Sequence, residues 1–205
     1  CLSTWFCQCR KCYKNLRPDT LHQLSIISVS GSEQSLPATT NFQTSAPGAP
    51  KNLKINSVTA TGFAISWEPV NNATEYKIYK DEELLAKTST PSYQSSSLIA
   101  GSTYTIKITA LVNGLESPPS SDLSITLVPS NPSNLESRNL TSSSFTFGWA
   151  GVNGASSYTV FKNGSKLAEN INGTSYTVTN LTPNSTYEMK VASVNSSGES
   201  VSSSL

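Results

Sequence analysis

The sequence predicts an all-β protein: two tandem, seven-stranded antiparallel sandwiches after a segment of different composition. Three observations carry that prediction. One stretch is written twice, as PKNLKINSVTATGFAISWEPVNNATEYKIYKDEELLA from Pro50 and as PSNLESRNLTSSSFTFGWAGVNGASSYTVFKNGSKLA from Pro132. Leu53 and Leu135, Trp67 and Trp149, and Tyr76 and Tyr158 are each 82 residues apart, and a repeat that long is a whole small domain, not a solenoid turn. Within each copy the apolar residues alternate at period two, and turn residues recur every eight to twelve positions with no helical period.

Taken in order, residues 1–29 form a Cys-rich, basic and mostly irregular segment. Its second part, residues 19–29, alternates weakly through Leu21, Leu24, Ile26 and Val29 and predicts one strand. Residues 30–49 read as an extended linker, because Pro37, Pro47 and the following Pro50 deny both helix and central strand. The first module spans 50–128. Its strands begin at Leu53, place Phe63, Ile65 and Trp67 on one face, then Tyr76 and Ile78, then Tyr93, and then Tyr104, Ile106, Ile108 and Ala110. LSITL, Leu123 to Leu127, closes it. The second module spans 129–205 and repeats this with Phe147 and Trp149, Tyr158 and Val160, Tyr176 and Val178, and Tyr187, Met189 and Val191. By comparison with the first copy, its last strand is cut short at Leu205.

The turn between the third and fourth strands differs between copies. Asn163-Gly164 is the preferred pair for a type I′ hairpin, since both positions accept positive φ. Asp81-Glu82 stands there in the first module and predicts a looser or longer turn.

Charge is spread unevenly. Arg10, Lys11, Lys14 and Arg17 make the first 17 residues purely basic, while the remainder carries ten Lys/Arg against thirteen Asp/Glu. No basic stripe crosses the modules, so nucleic acid is not an expected partner, and no apolar run is long enough to span a bilayer. His22 is the only histidine, which removes Ser-His-Asp and Cys-His nucleophilic systems from both modules. No Gly-rich phosphate loop is present, and the aromatics at period two are core residues. No enzyme activity and no cofactor is expected.

The N-terminal segment holds all four cysteines. Cys9-x2-Cys12 has zinc-ligand spacing, with Cys7 or His22 available to join, but a structural site usually brings a second pair. Disulfides among Cys1, Cys7, Cys9 and Cys12, a lipid on an N-terminal Cys1, and an extension without chemistry are the other readings.

The residues carry a family resemblance. A Trp on the second strand, Tyr-x-Ile or Tyr-x-Val on the third, and LTPNSTY from Leu181 to Tyr187 resemble fibronectin type III domains of the immunoglobulin-like class. The first module has LIAGSTY, with Ala100 where the second has Pro183. The resemblance implies a structural role for Trp67, Tyr76, Tyr104, Trp149, Tyr158, Leu181, Pro183 and Tyr187, with Tyr104 and Tyr187 forming tyrosine corners whose hydroxyls return to nearby backbone. The phrases NNATEYKIYKDEELLA and NGASSYTVFKNGSKLA look like the bacterial and bacteriophage branch.

A resemblance of this kind implies a non-catalytic stalk or decoration on a virion or bacterial surface. Its Cys-rich end would join other subunits, and loops at one pole of each module would bind cell-surface carbohydrate weakly and multivalently. The loop residues singled out are Asn71, Asn72, Asn113, Glu116, Asn153, Asn195 and Glu199. The alternative is a spacer from a secreted polysaccharide-degrading enzyme whose catalytic domain lies outside this chain.

Overall fold

The computed structural model describes residues 16–17 and 19–205, and every element it contains is a strand. The head is a ribbon. Strand β1 (Leu21–Ile26) pairs antiparallel with β4 (Ala38–Gln43), and between them β2 (Val29–Ser30) and β3 (Glu33–Gln34) close a small hairpin whose turn uses Gly31 at φ +62°. Residues 30–49 are therefore not the structureless linker expected of them, and a boundary at residue 29 cuts a hairpin. The prolines do not prevent pairing because none lies inside a strand: Pro37 precedes β4, while Pro47 and Pro50 follow it.

Module 1 packs two sheets face to face. Strands β5 (Lys54–Val58), β6 (Phe63–Ser66) and β9 (Ser92–Gln94) form one. Strands β7 (Ala73–Lys80), β8 (Glu83–Thr88) and β10 (Thr103–Val112) form the other, in the order β8-β7-β10. The seventh strand edges β10 in two pieces, β11 (Leu115–Glu116) and β12 (Leu123–Thr126). Pro118 and Pro119 interrupt it because they cannot donate to the ladder. Buried Ser117 and Ser120 bridge the gap: their hydroxyls accept from the amides of Ala110 and Ile108 at 2.9 and 3.0 Å. The inward period-two residues form the core, with Phe63, Ile65, Ile78, Ile106, Ile108 and Leu127 at 2% exposure or less.

Module 2 repeats the design. Strands β13 (Glu136–Arg138), β14 (Phe145–Gly148) and β17 (Ser175–Val178) face β15 (Ser157–Lys162), β16 (Ser165–Ile171) and β18 (Met189–Asn195). The edge pieces are β19 (Gly198–Glu199) and β20 (Ser203–Ser204). The last strand of this module is short. β20 pairs only with Lys190 and Val191, whereas β12 pairs with four residues of β10. Thr186–Glu188 accordingly lie outside the ladder.

Both tyrosine corners are formed. The Tyr104 hydroxyl accepts from the Ile99 amide at 3.1 Å and the Tyr187 hydroxyl from Thr182 at 2.9 Å, whether Ala100 or Pro183 sits in the turn. Each core tryptophan meets the tyrosine of the next strand edge-on or tilted, at 5.2 Å for Trp67–Tyr76 and 5.4 Å for Trp149–Tyr158. Both indole N–H groups are buried without a partner among the described residues.

The expected difference between the hairpin turns is absent. Lys80 pairs with Glu83 across Asp81-Glu82 just as Lys162 pairs with Ser165 across Asn163-Gly164. Both turns hold two residues at positive φ, 51° and 69° against 50° and 78°. Asp81 takes the part of Asn163: its carboxylate accepts from the Thr105 amide at 2.9 Å, as the Asn163 amide oxygen accepts from Glu188 at 2.9 Å. Glu82, the residue least suited to positive φ, is held by an ion pair with Lys107.

Candidate functional site: two loop poles and their neighbours

Loops 69–72 with Asn113 in module 1, and 151–154 with Asn195 in module 2, each make a pole that faces the preceding part of the same chain. In both modules a core tyrosine shapes that pole. The Tyr76 hydroxyl accepts from the Val70 amide at 2.9 Å, and the Tyr158 hydroxyl from Val152 at 2.8 Å. The loop 69–72 and its counterpart 151–154 are thus latched to the core. Asn72 and Gly154, at equivalent positions, both take positive φ, 61° and 74°.

Module 1's pole meets the head through one described side-chain hydrogen bond, Asn113 Nδ2 donating to the Leu16 carbonyl at 3.2 Å. Asn113 and Gly114 form a two-residue turn at positive φ between β10 and β11, with Val112 paired to Leu115. Beside that contact lies an open cleft of about 410 Å³, walled by Thr44, Ser45, Asn71, Asn72 and Asn113 with Lys51 and Glu68 at its rim.

Module 2's pole meets module 1 tightly. Asn195 Nδ2 donates to the Leu127 carbonyl at 2.8 Å, and Ser197 Oγ to the Thr126 carbonyl at 2.5 Å. Ser193 Oγ and Ser203 Oγ donate to the carbonyls of Ser130 and Pro132 in the connecting segment, both at 2.6 Å. Gly101 and Gly154 touch backbone to backbone. A β-carbon on Gly101 would stand 2.3 Å from the Asn153 carbonyl oxygen, and one on Gly154 would stand 2.3 Å from that of Gly101. Asn195 is therefore part of an internal joint through its side chain, and Asn153 through its backbone carbonyl alone, its side chain staying exposed. Glu199 remains exposed, paired through its backbone with Val194.

Glu116 also departs from expectation. It projects onto the outer face of the β8-β7-β10 sheet, where Lys77 at 2.5 Å, Thr109 at 2.6 Å and Tyr79 at 2.9 Å donate to its carboxylate. The hydrogen bond from Lys77, then that from Thr109, pulls its pKa down to about 2. A carboxylate so fully engaged is a structural group. Thr159, Phe161 and Ala192 stand at the matching positions of module 2, so the cluster has no copy there.

Of the four metal candidates, Cys7, Cys9 and Cys12, together with Cys1, lie outside the described residues. His22 stacks on Phe42 at a centroid distance of 5.6 Å, and its Nε2 lies 3.2 Å from the Arg17 carbonyl. Among the described residues no three His, Cys, Asp or Glu side chains come together in a way that could hold a metal ion.

Sequence reasoning missed the serines and both glycines of the closed joint. A signal existed. The copies differ there in a paired way: Gly154 stands for Asn72, and Gly101 for Asn184. All four positions have positive φ, so what distinguishes the two glycines is the room they leave.

The family model for the fibronectin type III domain matches residues 48–126 and 130–205. Chitinase A1 of Niallia circulans is 29% identical over 171 residues, covering 76% of this chain and 24% of that protein. Human tenascin-R is 28% identical over 209 residues, covering 93% of this chain and 15% of its own length. The chain thus spans about a quarter or less of these relatives. Among solved structures, a two-domain fibronectin type III segment of chicken tenascin aligns with a TM-score of 0.47 at 23% identity, over 76% of this chain and 97% of that one. The chain belongs, by two consecutive matches, to the fibronectin type III family.

Proposed function

We propose that this chain is a non-catalytic spacer and adhesion element, a tandem stalk or decoration of a bacteriophage virion or bacterial surface, outside the cell. The observation that supports it most is the closed joint between the modules. Two side-chain hydrogen bonds, from Asn195 and Ser197 to carbonyls of module 1, and a glycine-on-glycine contact hold the second sandwich on the first, and such a joint sets a distance and an angle. With each strand rising about 3.3 Å per residue, a module carries its load over roughly 35 Å. The Cys-rich head, whose composition differs most from the modules, is the attachment point to other subunits. Cell-surface carbohydrate is left with the pole of module 1, the one that is not sealed. Electron microscopy of the native source tests the reading. Symmetric multicopy contacts through the head are expected, and free monomers in the native source would contradict it.

A second reading has a specific observation in its favour. Similarity to a chitinase and, at 29% identity over 171 residues, to exoglucanase B of Cellulomonas fimi supports an accessory spacer in a secreted polysaccharide-degrading enzyme. In that case the native polypeptide is monomeric and carries a catalytic domain, and mass spectrometry of the intact protein separates the two readings.

A further inference from the structure

The two poles use the same loops, yet one joint is sealed and the other encloses an open cleft with polar walls. We infer that the cleft between the head ribbon and module 1 is a binding site for a small neutral polyhydroxylated ligand, one or two sugar rings in size. This rests on the adhesive half of the proposed function and assigns it a place.

Three observations carry the inference. The volume of about 410 Å³ lies in the range of small-molecule sites. The walls are held in advance of any ligand. On the head side Thr44 Oγ1 donates to the Arg17 carbonyl, and the Asp19 amide to the Ser45 carbonyl at 3.2 Å. On the module side the Tyr76 latch fixes Val70, and Asn52 Nδ2 orients Glu68 at 2.5 Å. The free groups then define the ligand. The side chains of Asn71, Asn72 and Lys51 have no hydrogen-bond partner among the described residues, so two amides and an ammonium stand ready around the cleft.

The chemistry of those walls selects hydroxyls. Carboxamides donate and accept at once, which suits a group that does the same. Among the described residues Lys51 and Glu68 are the only charged residues of the lining, one of each sign, so neither a phosphate nor a cation is favoured by them. Val70 and Val112 supply an apolar floor for the C–H face of a ring. In module 2 Gly101 meets Gly154 backbone to backbone at the matching place.

The test is a two-dimensional amide NMR titration of the whole chain with glucose, N-acetylglucosamine, cellobiose and chitobiose at millimolar concentrations, with glucuronate as the charged control. Saturable shifts are expected at Asn71, Asn72, Asn113 and the 44–49 backbone, for the neutral sugars only. The double variant Asn71→Ala, Asn72→Gly should weaken them about tenfold, the loss of one or two neutral hydrogen bonds. Glycine at position 72 keeps the left-handed backbone, and the thermal midpoint checks that the module stays folded. Saturable shifts that map elsewhere overturn this site while leaving the adhesive reading intact. Shifts equally strong with glucuronate overturn the neutral-ligand assignment. No saturable shift with any sugar overturns both the site and the adhesive reading, without touching the spacer role of the closed joint.

Discussion

The joint between the modules and the joint between head and module 1 are built from equivalent loops and turn out differently. At the first, glycine faces glycine, and Asn195, Ser197, Ser193 and Ser203 all donate across the boundary or into the connecting segment. At the second, Asn72 occupies Gly154's position, a single described bond from Asn113 crosses to Leu16, and a cleft opens. Of the two asparagine-to-glycine exchanges between the copies, the one that distinguishes these two poles is Asn72 against Gly154, where the backbone is left-handed either way and glycine leaves the room in which Gly101 packs. Asparagine is the non-glycine residue that best tolerates positive φ. The exchange therefore costs the turn little and acts almost wholly through the space its side chain takes.

The largest way to break the comparison is to remove a core. Trp149→Ala should destabilise module 2 by about 3–5 kcal/mol and dissolve the closed joint, leaving module 1 and the head ribbon folded. Calorimetry would show one transition lost and one kept. If both transitions disappeared, the modules would not be separate cooperative units.

Next in size is Gly101→Asn, which places in module 1 the residue that module 2 carries at position 184. It should open the joint at a cost of about 2 kcal/mol, two hydrogen bonds at roughly 1 each. Both modules keep their own cores, and amide relaxation would report separate tumbling. Asn184→Gly, at the other end of module 2, should leave tumbling unchanged. Asn195→Ala alone should weaken the joint by about 1 kcal/mol.

Smaller effects sharpen the contrast between the modules themselves. Glu82→Gly should stabilise module 1 by up to about 1 kcal/mol, because glycine accepts the φ of +69° that glutamate bears under strain, less what the Lys107 ion pair returns. A gain absent from the thermal midpoint would mean the ion pair fully offsets the strain. Acid should distinguish the modules too. The Glu116 pKa is lowered from 4.5 to about 2, so its contribution is complete above pH 4.5 and is lost as pH falls toward 2. Because the Lys77 and Glu116 side chains keep 24% and 34% of their surface in contact with solvent, the cluster should contribute less than about 1 kcal/mol. Over that range module 1 should lose more stability than module 2, and Glu116→Gln should remove the excess.

Much of the fold was legible because its causes are local. Period-two alternation reports which face is buried, and the inward series from Phe63 to Leu127 forms the core it implied. Both tyrosine corners were readable from a seven-residue phrase. The failures share a different cause. Asp81-Glu82 makes the same tight turn as Asn163-Gly164 because Thr105 and Lys107, on another strand, hold it. The ribbon of residues 21–43 forms because prolines bracket β4 without entering it. The loops named from the sequence include Asn195, whose side chain the structure engages within the chain. Gly101 meets Gly154 across more than fifty residues of chain, and only the paired exchange between copies hints at it.

The central claim is that the joint between the modules is closed and holds them as one body. Residual dipolar couplings measured on the whole chain test it most directly, since they report the orientation of each module in a common frame. A single alignment tensor fitting both modules in the wild-type chain, separating into two in Gly101→Asn, is the predicted result. Two independent tensors in the wild-type chain would contradict it.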